Sequence, residues 1–258
     1  MNVTKETKFT GLKKGSQDIR YVRYWEPYYE VQKYLESFIK PGDKVLEIGP
    51  GENSFPNATC YIGSAEEERK LYDNFTLCDV AQDRIPFPDK HFDFVYSRHV
   101  LEDTLNPMHA VREITRTCKK GYLEMPSTIA ECWQFAESHF GDYKGFLHHR
   151  YFCWNDGQLN FMAKFPLIEK INFNKIKIAE MLKDPFNWIT PFMFEGTIKY
   201  KHHEHGWNKE FMLNNADSYV KIINRAITVS YMQGGHFKKI IQDFTEGKEI
   251  RTKHAQVE

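Results

Sequence analysis

The feature that most constrains this chain is a short apolar run, KVLEI (44–48), that ends directly on Gly49-Pro50-Gly51. A strand buried on both faces of a parallel sheet reads as an uninterrupted apolar run. Small residues at its end let the backbone approach a ligand closely. Four more runs of the same kind follow: TCYI (59–62), FTLC (75–78) ending at Asp79, FDFVY (92–96) leading into Ser97-Arg98-His99, and YLEM (122–125) closed by Pro126-Ser127. Between the last two, Asn106-Pro107 reads as a helix cap and first turn. Val111, Ile114 and Cys118 line one face of that helix, and Lys119-Lys120-Gly121 suits its end. The spacing predicts an α/β fold with a mostly parallel sheet and C-terminal extensions. Ligands of such sheets bind beyond the carboxyl ends of the strands.

The flanking sequence sets the organisation. Residues 1–19 are expected to be a flexible polar arm. From Arg20 to Lys40, Tyr24, Tyr28, Val31, Leu35 and Phe38 recur at helical intervals, and Pro41-Gly42-Asp43 stops the helix. Residues 20–246 are expected to form a single domain, with an aromatic-rich insertion at 128–207. Within it, QLNFMAKF (158–165) and FMFEGTIKYKH (192–202) read as strands. The stretch from 209 to 246 reads as two helices broken at Gly234-Gly235, and 247–258 as a charged tail.

Composition excludes several classes. Lys plus Arg number 35 and so do Asp plus Glu, so the chain lacks the basic surplus common in nucleic-acid binders. No run of about 18 apolar residues exists, so no membrane span is expected. Cys60, Cys78, Cys118, Cys132 and Cys153 are scattered and odd in number. Reduced thiols in a cytoplasmic compartment are the simplest reading. General frequency makes a homodimer one expectation for the assembly, and no residue pattern points to it.

The glycine turn discriminates among nucleotide folds. A nicotinamide dinucleotide turn prefers a third glycine, and here that position is Ser54. No phosphate-loop lysine follows either. Glu47, at the end of the first strand, is placed either to accept a hydrogen bond from a cationic amino group or to receive backbone hydrogen bonds and order the loop.

VLEIGPG (45–51), LCDVAQDRIPFPDKHFDFVYSRHVLED (77–103) and the helix leading to GYLEMPS (121–127) together resemble class I S-adenosylmethionine (SAM)-dependent methyltransferases, in particular the small-molecule type carrying a methyltransferase type 11 domain. The resemblance covers residues 44–127 and implies a Rossmann-like sheet, SAM as cofactor, and a small-molecule or glycan acceptor methylated on oxygen or nitrogen. It implies that Glu47, Gly49 and Gly51 line the methionine end of SAM. Asp79 and Val80 would sit by the adenine. Ser97, Arg98 and His99 would edge both cofactor and substrate, and Glu102 would stabilise the turn into the next helix. Asp79 has loop capping as its alternative, and His99 a structural role. The second strand ends Tyr61-Ile62-Gly63-Ser64, without the acid that usually binds the ribose hydroxyls. Glu66, Glu67 and Glu68 follow, read first as solvated residues of a short helix and second as a substitute acid. The short loop from Gly51 to Thr59 leaves little room for a long first helix. Both departures leave a degenerate, non-catalytic scaffold as the rival function.

Methyl transfer to a hydroxyl calls for a positioned base. The candidates are His99, His148, His149 and Glu124. His149-Arg150-Tyr151 matches a histidine-arginine-aromatic pattern of the family, which makes it the first choice for the acceptor side, with a packed aromatic cluster as the alternative. In KHHEHGW (201–207), an extended chain puts His203 and His205 on one face and His202 on the other. That spacing is not a helical zinc motif, and no metal centre is expected there.

Overall fold

The structure is a computed structural model that describes residues 27–138, 141–203 and 209–248. The predicted arm over 1–19 lies outside them, as do residues 249–258 of the predicted tail. A six-stranded sheet forms the centre. Its strands are β1 (Val45–Ile48), β2 (Cys60–Gly63), β3 (Phe75–Leu77), β4 (Phe92–Arg98), β5 (Cys118–Pro126) and, after four further strands, β10 (Ile189–Glu195), in the spatial order β10-β5-β4-β1-β2-β3. β1 to β5 pair parallel, and β10 runs antiparallel along β5. The five predicted strands are therefore all present. Leu46, Ile48, Ile62, Val95 and Leu123 are fully buried, each contributing about 1.5–3 kcal/mol of transfer free energy.

One face of the sheet is covered by α2 (Pro107–Thr117), whose Ala110, Val111 and Ile114 enter the core with Leu46, Ile48 and Val95. Asn106 caps this helix by accepting from the His109 amide at 3.1 Å, with Pro107 at the first helical position, as predicted. The other face is covered by α1 (Tyr28–Glu36) and α5 (Lys209–Thr245). The predicted helix over 20–40 is found over Tyr28–Glu36, with residues 20–26 outside the described part.

The aromatic-rich segment follows β5. After α3 (Thr128–Glu131) come a hairpin, β6 (Gln134–Ser138) with β7 (Gly141–Lys144), and a three-stranded sheet of order β11-β9-β8. That sheet comprises β8 (Tyr151–Asn155), β9 (Leu159–Ala163) and β11 (Tyr200–His202), and α4 (Lys175–Met181) lies between β9 and β10. The single strand predicted over 192–202 is two: β10 ends at Glu195, and the chain turns at Gly196 (φ +79°) before β11 joins the other sheet.

The break predicted at Gly234-Gly235 is corrected by the structure, where Lys209–Thr245 is one helix of 37 residues. Gly234 serves close packing instead. A Cβ there would lie 2.9 Å from the Phe186 carbonyl oxygen and collide with Asn187 Oδ1, whereas nothing lies within 4 Å of a Cβ at Gly235. The two neighbours therefore have opposite expected effects. Gly235→Ala gains about 0.5–1 kcal/mol of stability from helix propensity, while Gly234→Ala loses about 1–3 kcal/mol to overpacking. Urea unfolding of the two variants checks this; equal effects would remove the packing explanation.

Candidate active site

The carboxyl ends of β1, β4 and β5 converge. Gly49 takes φ +67°, donates its amide to Ile62 O at 2.8 Å, and a Cβ on it would strike the Val100 side chain. Glycine is required here on both counts. Gly51 follows at φ +53° with open space where a Cβ would lie. Glu47 is buried and accepts a hydrogen bond from the Phe55 amide at 2.9 Å. That is the loop-ordering one of its two sequence roles. Phe55 stacks on Tyr96 at 4.5 Å between ring centroids, fastening the loop to β4. No helix forms between Gly51 and Thr59, in keeping with the short loop.

The end of β2 holds a surprise. Glu66 and Glu67 are exposed, as expected of a solvated turn, and the segment Glu66–Lys70 is a 3-10 helix. Glu68, however, folds back. Its Oε1 accepts from the Gly51 amide at 3.1 Å, and its Oε2 occupies the space a Cβ on Gly63 would need. Tyr72 completes the arrangement by donating its hydroxyl to Gly51 O at 2.7 Å. A carboxylate is therefore present at the end of β2 although the strand carries none.

At the end of β4, register places Ser97 beside Ile48 and Leu123, and Arg98 beside Glu124. Ser97 is buried and its hydroxyl has no hydrogen-bond partner among the described residues. Arg98 donates through Nε to Glu124 Oε1 and lies 5.0 Å from the centre of the Tyr28 ring, a cation–π contact. His99 takes φ +54°, a left-handed conformation uncommon for a non-glycine residue. Its amide donates to Glu124 O at 2.8 Å, and its Nε2 lies 3.1 Å from Glu124 Oε1. Tyr122 donates its hydroxyl to the other carboxylate oxygen, Oε2.

Glu124 is thus engaged on both oxygens. Burial pushes its pKa up, but the Arg98 charge and the hydrogen bonds from His99 and Tyr122 prevail and hold it at about 2. A carboxylate so acidic is a permanent anion at neutral pH. It can orient Arg98 and His99, but it is poorly matched to accept a proton.

The adenine-side residues have a different geometry. Asp79 uses both carboxylate oxygens within its own turn, accepting from the Ala81 amide at 2.9 Å and from Gln82 Nε2 at 3.0 Å. This is the capping alternative. Val80 is buried beneath it, and its carbonyl lies 3.1 Å from His109 Nδ1.

A second polar group adjoins the first. Glu102 is completely buried, with Oε1 lying 3.4 Å from His99 Nδ1 and 3.9 Å from His149 Nε2. His99 and His149, 50 positions apart in the sequence, therefore flank one carboxylate. His149 is buried and pairs through Nδ1 with Glu131 Oε1 at 2.6 Å; Lys164 Nζ reaches the other Glu131 oxygen at 2.6 Å. Burial lowers the His149 pKa, but the Glu131 hydrogen bond and the surrounding carboxylates outweigh it, and the net shift is upward. Glu131 and Lys164 carry no motif in the sequence. Only a buried Glu and Lys with regular neighbours could have marked them, and burial is not visible until the chain folds. In the 201–207 segment, residues 204–207 lie outside the described part. His203 Nε2 lies 3.0 Å from Asn160 Oδ1, with its ring against Trp154.

A parallel sheet with a glycine turn and polar side chains gathered at its carboxyl ends defines a Rossmann-like nucleotide-binding domain. Within that class, residues 46–123 match the model of a methyltransferase domain. Solved structures similar to the chain include the YcgJ protein from Bacillus subtilis, at 21% identity over 39% of this chain and 51% of that one, with a TM-score of 0.32. A SAM-dependent methyltransferase from Aquifex aeolicus is 18% identical over 49% and 74% of the two chains, with a TM-score of 0.32. Another from Mesorhizobium loti is 12% identical over 51% and 63%, with a TM-score of 0.33. The chain covers about half the length of the first of these. No curated protein matches it. No helix among the described residues is long and apolar enough to cross a membrane.

Proposed function

We propose that this chain is a SAM-dependent methyltransferase acting on an oxygen or nitrogen of a small polar metabolite or glycan. The observation that carries the reading is the convergence of Glu47, Ser97, Arg98, His99 and Glu124 on the carboxyl ends of three adjacent parallel strands. The residues fit the cofactor's chemistry. Glu47 and Arg98 suit the two charged ends of an amino acid, and both lie on one face of the sheet, whereas Ser97 lies on the other with Ile48 and Leu123. Glu68 supplies from the turn after β2 the carboxylate that suits a ribose diol. When bound, SAM supplies an electrophilic methyl group. The protein's part is to hold the acceptor in line, exclude water and take a proton. His99 is the group assigned to that proton, with Glu124 fixing the imidazole through Nε2. His149 stands on the acceptor side, across Glu102 from His99.

Titration calorimetry with SAM tests this reading. A dissociation constant of about 1–100 μM corresponds to roughly −8 to −5.5 kcal/mol and supports a real site. Glu47→Ala is expected to weaken binding at least about tenfold, the loss of one charge-assisted contact. A second reading, a non-catalytic scaffold, is favoured by one observation: Gly51, Glu47 and Asp79 already have hydrogen-bond partners in the protein itself. Absence of heat with millimolar SAM, matched by a second binding method, would decide for that scaffold.

A further inference from the structure

The geometry points to a divalent transition-metal site on the acceptor side, held by His148, His149, Asp103 and Glu102. Ligand atoms of Asp103, His148 and His149 all lie within 4.8 Å of one another. His149 Nε2 is 3.9 Å from Asp103 Oδ1 and 3.9 Å from Glu102 Oε1, and His148 Nε2 is 3.9 Å from Asp103 Oδ2. Two ligands bonded to one zinc ion at about 2.1 Å can be separated by at most about 4.2 Å. The three closer pairs satisfy that limit as they stand, and His148 is exposed.

The independent observation is the state of the carboxylates. Glu102 is fully buried, yet neither of its oxygens accepts a hydrogen bond, and Asp103 Oδ1 is buried in the same condition. A buried charge left without hydrogen bonds is costly. Glu102 Oε1 and Asp103 Oδ1, each 3.9 Å from His149 Nε2, are oxygens that a cation would satisfy.

The shell around the ligands is already built. His149 Nδ1 is fixed by Glu131, which is fixed in turn by Lys164. That carboxylate–histidine arrangement leaves Nε2 directed at the carboxylates and is the usual outer support of a metal-bound histidine. Main-chain bonds lock the two ligand segments together: the Arg150 and Tyr151 amides donate to Glu102 O at 2.8 and 3.2 Å. Gly145 leaves the room that Glu131 and Lys164 fill. Two imidazoles with carboxylates suit zinc and its first-row neighbours over magnesium or calcium. The site shares His149 with the acceptor side of the proposed reaction, but metal binding itself can be measured without SAM or methyl transfer.

The test uses the full chain without a histidine tag, incubated with equimolar Zn²⁺, desalted and analysed for metal. About one zinc per chain is expected, and substitution with Co²⁺ should give visible absorption of a low-symmetry nitrogen–oxygen site. His148→Ala, at an exposed position that leaves folding intact, and Asp103→Asn should each bring retained zinc below about 0.2 per chain. Glu131→Gln should weaken affinity about 10–100-fold. The proposal is overturned if the unaltered chain retains less than about 0.2 zinc, or if His148→Ala and Asp103→Asn retain as much as it does. It is equally overturned if zinc is lost instead on replacing His202, His203 and His205 together. None of these readouts requires SAM.

Discussion

Glu124→Gln is expected to lower folding stability by about 3–5 kcal/mol, the usual effect of removing one partner of a buried ion pair. The substitution keeps the side chain's shape and removes its charge. It leaves the Arg98 guanidinium, only 8% exposed, facing a neutral amide. It also weakens the hydrogen bonds from Tyr122 and His99. Urea denaturation measures the change as a shift in midpoint with an unchanged slope. A loss under about 1 kcal/mol would mean that Arg98 is stabilised chiefly by its other neighbours. The same pair sets an acid limit. The folded pKa of about 2 lies below the ordinary 4.5, so the native state binds this proton less readily than the unfolded chain. The resulting stability is complete above about 4.5 and is lost as pH falls towards 2, an effect on the order of 3 kcal/mol. In Glu124→Gln that segment of the acid-unfolding profile should flatten.

The second large effect concerns His99. If it takes the acceptor's proton, His99→Asn should lower turnover by about 10²–10⁴ while leaving SAM binding within about threefold, an affinity change of roughly 0.7 kcal/mol. Asparagine is the informative choice because it tolerates the φ of +54° that this position adopts. Alanine would add backbone strain and confuse fold with chemistry. Activity that survives in His99→Asn would move the proton to another acceptor, and retained SAM affinity would show that the cofactor side is intact. Loss of both would instead make His99 a structural hinge between β4 and Glu124.

The strands were legible because burial on both faces leaves an unbroken apolar run, as in KVLEI, FDFVY and YLEM. The strand-end positions followed from the same logic, since a parallel sheet has one ligand-binding edge. What could not be read was the direction in which a polar side chain turns. Asp79 follows β3 as the pattern implies, yet its carboxylate closes its own turn. Glu68 looked like one of three solvated acids, and its return to Gly51 depends on the 3-10 turn that carries it. Gly234-Gly235 misled for a related reason: glycine in a helix signals either a break or a close neighbour, and the neighbour, Phe186, is 48 residues away. His99 and His149 came from separate motifs, and no spacing rule connects them; a single backbone pairing between the Glu102 carbonyl and residues 150–151 does.

The long helix α5 carries a consequence for how the chain acquires its shape. Phe237 packs against Tyr34 and Tyr122, and Phe244 against Tyr34, so residues near the end of the described chain cover rings on its first helix and its central sheet. During synthesis, at about 5–20 residues per second, those rings lack Phe237 and Phe244 until α5 leaves the ribosome and keep only nearer contacts, Tyr34 with Phe38 and Tyr122 with Tyr96. β10, which borders β5, also arrives late. The methyltransferase segment is therefore translated well before it can close. For an interval of seconds that segment exists without the aromatic side chains that α5 lays across it.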